Sequence, residues 1–83
     1  MGNYFYTTIE NQAREDGSRG LLYDHFENYD AALAKLYTIL AAAATSGLPY
    51  HSGHIMRSDG ILTDGRVFDR RTAPAPEQEA GNE

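Results

Sequence analysis

The sequence predicts an α+β fold, β-β-α-β-β, in which a four-stranded antiparallel sheet carries one helix packed on one face. Three observations predict it. Residues 3 to 12 and 50 to 57 show the period-two alternation of strands. Residues 28 to 49 read as one capped amphipathic helix. Glycine-bearing turns at residues 15 to 20 and at Asp59-Gly60 fold each strand pair back on itself.

In the first strand Tyr4, Tyr6 and Thr8 fall on one face and Phe5, Thr7 and Ile9 on the other. After the turn, residues 21 to 27 return as the second strand, so residues 3 to 27 make a hairpin. Asn28 suits an N-cap, because its side-chain oxygen can accept from an orphaned amide of the first turn, where Asp30 also meets the positive end of the helix dipole. Leu33, Leu36, Leu40 and Ala43 recur at spacings of three and four, flanked by Ile39 and Ala32, and form the stripe to be buried. Alanines 41 to 44 keep the helix end slim, which lets a sheet approach closely. Gly47 can take the left-handed conformation at the C-terminus, and Pro49 cannot continue the helix.

Asp59-Gly60 suggests a two-residue type I′ turn between strands 50 to 57 and 61 to 69. That loop sets Arg57 opposite Leu62, Ile55 opposite Asp64, Gly53 opposite Arg66 and His51 opposite Phe68. The other face then holds Tyr50, Ser52, His54, Met56, Ile61, Thr63 and Val67, although a bulge at Asp64-Gly65 would swap the faces beyond it.

Eighty-three residues allow one domain, residues 1 to 70, with a modest core. The chain has no cysteine, so disulfides and the commonest structural metal sites are excluded, and association with a second copy remains as the stabilising device. Residues 71 to 83 contain no large apolar side chain and three of the twelve acids, and read as a disordered acidic tail. The net charge of -5 and the scattered basic residues argue against nucleic-acid binding by passive electrostatics. No leader or membrane-length apolar run is visible, so the expected location is cytoplasmic.

Both faces of both hairpins carry apolar or aromatic side chains, and one helix shields only one of them. The uncovered side is expected to meet something else, most economically a second copy in a homodimer. Chemistry-bearing residues are few. His51 and His54, three apart on a strand, point to opposite sides and make poor metal co-ligands. No phosphate loop, cofactor motif or marked nucleophile is present.

The stretch from Leu36 to Met56, LYTILAAAATSGLPYHSGHIM, with an aromatic hairpin before it and a D-G turn after it, resembles small uncharacterised proteins of prophages and conjugative elements of gut-type bacteria. The resemblance spans about residues 3 to 70 and implies a mobile-element context, with no activity to carry over.

Three function classes follow. The first is a non-enzymatic binding module that acts, as a homodimer, on a host protein, in its sharpest form an inhibitor of host defence. The second is a protein that sequesters a small nucleotide signal in a groove lined by Tyr4, Tyr6, His51, Arg57 and Arg66. The third is a small histidine-dependent enzyme or metal protein. Tyr4, Tyr6, His51, His54, Arg57 and Arg66 make up the candidate partner or ligand face.

Overall fold

The computed structural model describes residues 3 to 71 and has the expected β-β-α-β-β order. Strands β1 (Tyr6–Ala13) and β2 (Arg19–Phe26) form the first hairpin, helix α1 spans Tyr29–Ser46, and β3 (Tyr50–Arg57) with β4 (Leu62–Asp69) forms the second. The sheet is open and antiparallel, in the order β2-β1-β3-β4. The two hairpins meet through β1 and β3, leaving β2 and β4 as edges. The expected tail lies outside the described residues apart from Arg71, which pairs with Asp69 and stands over the Tyr50 ring.

The helix ends form as the sequence suggests. Asn28 Oδ1 accepts from the Ala31 amide at 2.8 Å, and Gly47 closes the helix at φ 70°. No basic residue sits in the last turn, so the orphaned carbonyls are met from elsewhere. Arg70, just past β4, donates to the carbonyls of Ala43, Ala44 and Leu48. This guanidinium lies at the negative end of the helix dipole and ties it to the sheet.

The buried stripe is rotated slightly from expectation. Ala32, Leu36, Ile39 and Ala43 form its centre, while Leu33 and Leu40 are only half-buried. The reason is Gly53 in β3: a Cβ there would lie 2.6 Å from Ile39 Cγ2, 3.2 Å from Leu36 Cδ1 and 3.3 Å from Leu40 Cδ2. The missing side chain makes a trough in the sheet, and the helix settles into it. Ile55 and Thr8, cross-strand neighbours, complete the floor of the core.

Both hairpins turn by the same device, and it is not the two-residue turn that Asp59-Gly60 suggests. Gly60 has φ 90°, but among the described residues no non-glycine has a positive φ, so Asp59 does not adopt the conformation a type I′ turn needs. Instead the Gly60 amide donates to Arg57 O, and Arg57 N donates to Ile61 O, which is a three-residue loop with a glycine bulge. Arg14 to Ser18 repeats it, with Gly17 at φ 89°. The shared pattern is Arg-x-Asp-Gly, in which Asp16 and Asp59 each accept the amide two residues on.

The longer second loop sets Met56, rather than Arg57, opposite Leu62. A register shift between Ile55 and Met56 then restores the expected pairs, Ile55 with Asp64, Gly53 with Arg66 and His51 with Phe68. The irregularity thus falls at Thr63, before Asp64-Gly65. Leu62 consequently moves to the face of Met56, away from the helix.

Candidate functional site

Strand alternation and the contacts of α1 divide the sheet into two unlike sides. The helix side carries Tyr6, Thr8, Glu10 and Gln12 of β1 with Arg57, Ile55, Gly53 and His51 of β3. The other side has no covering element among the described residues. Its rows run His25, Thr7, Met56, Leu62; then Tyr23, Ile9, His54, Gly65; then Leu21, Asn11, Ser52, Val67. No Asp, Glu, Lys or Arg stands in these three rows, and charge begins only at the far end with Arg19 and Asp69. Leu21, Tyr23, Leu62 and Val67 are exposed, and Ile9 and Met56 are half-buried by their neighbours. A solvated antiparallel face would alternate to polar residues here. This surface instead sets six apolar or aromatic side chains, Leu21, Tyr23, Ile9, Met56, Leu62 and Val67, among His25, Thr7, His54, Asn11 and Ser52.

His54 occupies the middle of that face. A Cβ at Gly65 would overlap the imidazole, so the glycine lets the ring lie flat over β4. His25, in the neighbouring row, holds Thr7 Oγ1 through Nδ1 at 3.1 Å.

The six candidate residues do not form one cluster. Only His54 belongs to the uncovered face. Tyr6 packs edge-on against Tyr29, with ring centroids 5.6 Å apart, beneath the start of the helix. Arg66 lies over the Phe68 ring on the helix side. Arg57 stands 4.3 Å above the Tyr4 ring and gives two hydrogen bonds to Asp59, a pairing that also draws the Asp59 carboxyl below the usual carboxylate range. Tyr4, Phe5, Tyr6 and Tyr29 line an open cleft of about 530 Å³ whose acidic member is Glu27. Arg57 is already committed to Asp59, so among the described residues the cleft presents no uncommitted cation to a nucleotide phosphate.

At the cleft wall, Tyr29 Oη donates to Asp64 at 2.6 Å. This bond, with burial and the Asp64 charge, pushes the Tyr29 hydroxyl up to about 12. The folded state keeps a proton that the unfolded chain releases near 10, so this stabilisation is complete below pH 10 and is lost as pH rises toward 12. Urea titrations of the wild type and Tyr29→Phe across that window are expected to show the steeper loss in the wild type. Equal slopes would contradict the assignment.

His51, expected on the candidate partner or ligand face, is instead buried on the helix side. Its Nε2 lies 2.7 Å from Glu10 Oε2, its Nδ1 lies 2.9 Å from Ser46 Oγ, and Gln12 Nε2 donates to the same Glu10 oxygen. The order carboxylate, imidazole, hydroxyl is that of a nucleophile and its base. The surroundings differ from an acyl-transfer site, because such a site needs N–H groups aimed at the developing oxyanion. Ser46 stands at a helix C-terminus, among carbonyls, 3.4 Å from Ala43 O, and its one amide neighbour is that of Leu48. The chain of bonds joins the helix end to β3 and β1. The local spacing of Glu10 and Gln12, two apart on one strand face, was its available signal.

Among the described residues there is no group of three or more potential metal ligands, and no helix is long and apolar enough to cross a membrane. Comparison of the chain with protein-family models, curated proteins and solved structures gives no match.

Proposed function

We propose that this chain is a small non-enzymatic binding protein of mobile-element type that works as a homodimer and occupies a host protein, a component of host defence being the target class of choice. The observation that supports this reading is the uncovered sheet face. It offers Leu21, Tyr23, Leu62 and Val67 to solvent on a face whose three rows contain no Asp, Glu, Lys or Arg. Protein contact surfaces are depleted of charge at their centres in the same way. The His51 chain supports a structural role in place of catalysis, since it binds the helix end and presents no oxyanion donors.

Charge placed in the centre of this face tests the reading. Met56→Lys with Val67→Lys is expected to leave the circular dichroism spectrum and the melting midpoint close to wild type, because both side chains point away from the core. The same variant is expected to lose any stoichiometric companion that immobilised wild-type protein retains from a gut-bacterial lysate. Retention of the companion by the folded variant would overturn the assignment of the face.

A further inference from the structure

The position of the second copy can be read from the free edge of β2, a reading that rests on the homodimer proposed above. The Arg14 N–H donates to Ser18 O at 2.9 Å, and antiparallel pairing then alternates along the strand. Gly20, Leu22, Asp24 and Phe26 therefore direct their backbone groups to β1. Arg19, Leu21, Tyr23 and His25 direct theirs outward. The bonds from Ser58 N to Phe5 O and from Arg70 N to Pro49 O fit the same alternation across the sheet.

The two edges are not equivalent. β4 carries the irregularity opposite Ile55 and Met56 and ends in the Asp69–Arg71 ion pair, features that blunt an edge. β2 keeps an unbroken eight-residue register with β1 and contains no proline or lysine. Its middle is apolar on both sides: Leu21 and Tyr23, on the uncovered face, are 51% and 60% exposed, and Leu22, beyond the reach of the helix, is 55% exposed. Stacking two copies face to face would shelter Leu21 and Tyr23 but leave Leu22 in water. Adding a strand along the edge shelters all three.

We propose that two copies pair antiparallel along β2, with the twofold axis at Leu22. Residues facing one another across such an axis must lie on the same side of the sheet and share the same outward or inward backbone sense. Centring on Leu22 sets it against its own copy and sets each Leu21 against the other chain's Tyr23. Asp24, already paired with Lys35 at 3.3 Å, then faces Gly20. An axis at Leu21 places Leu22 opposite Gly20, and an axis at Tyr23 places it opposite Asp24, so only the Leu22 axis gives Leu21, Leu22 and Tyr23 each an apolar or aromatic partner. The result is one continuous sheet with both helices on the same side, and the two uncovered faces merge into a single larger contact surface.

The chain has no native cysteine, which makes the test direct. Leu22 and its copy form a non-hydrogen-bonded pair, whose Cα atoms lie about 4.5 Å apart, inside the range of roughly 4.4–6.8 Å that a disulfide spans. Under mild oxidation Leu22→Cys is expected to convert almost completely to a covalent dimer, while Met56→Cys, in the middle of the face, stays single. Leu21→Pro, which removes an outward N–H and no bond to β1, is expected to keep the folded spectrum and halve the solution mass. Cross-linking of Met56→Cys without Leu22→Cys would overturn the edge and keep the homodimer, with the copies stacked by their faces. A wild-type mass of one chain would overturn both.

Discussion

Gly53→Val lowers the melting midpoint by roughly 12 to 24 °C. The estimate combines an overpacking cost of up to about 3 kcal/mol with a shift of about 4–8 °C per kcal/mol for a domain of this size. The physical cause is local. The first carbon of any side chain at this position meets Ile39 at 2.6 Å, and Ile39 is β-branched and stiff at χ1 in a helix, so it cannot swing aside. The helix must lift, and Leu36 and Ala43 lift with it. Gly53→Ala is expected to show a smaller loss of the same kind. A midpoint within two or three degrees of wild type for Gly53→Val, by differential scanning calorimetry, would mean that the helix does not rest in this trough.

His51→Ala is the second large effect, a loss of about 1–3 kcal/mol from leaving buried hydrogen-bonding groups without their partner. The Glu10 carboxylate, 14% exposed, is left with Gln12 alone, and Ser46 loses its tie to the sheet. Adding Glu10→Gln to His51→Ala is expected to restore part of the loss, because the amide costs less to bury without a partner than the carboxylate does. Urea unfolding of the two single variants and the double variant measures that coupling. Strict additivity would show that the two groups act independently. Ser46→Ala is expected to cost only about 1 kcal/mol, the usual worth of one neutral hydrogen bond.

Much of the fold was legible because its signals are local. Asn28 and Gly47 carry their capping chemistry in their own side chain and backbone, and the strands show their alternation residue by residue. Three of the four cross-strand pairs expected in the second hairpin are present, and for an instructive reason: the three-residue loop at Asp59-Gly60 and the irregularity at Thr63 shift the register in opposite directions and cancel. Asp-Gly alone does not distinguish a two-residue turn from this loop. The repeat of Arg-x-Asp-Gly at both hairpins, with the aspartate accepting the amide two residues on, was the finer signal.

The candidate site was less legible because it depends on which side of the sheet the helix covers. Alternation sorts His51, Gly53 and Ile55 from His54 and Met56, but it does not say which set is buried. Gly53 decides it, since a helix approaches a sheet most closely over a residue with no side chain. Once that is known, His51 belongs to the core and His54 to the open face, and Tyr4, Tyr6, Arg57 and Arg66 fall on the helix side. Arg70 shows the other limit. Its carbonyl partners are 22 to 27 residues away, and no local pattern announces such a cap.

The central claim is that this chain associates with a second copy of itself, which extends the sheet and enlarges its uncovered face. Light scattering of the wild-type protein at tens of micromolar tests it most directly. The account predicts a mass of twice the 9.2 kDa chain. A mass of one chain at every concentration would contradict it.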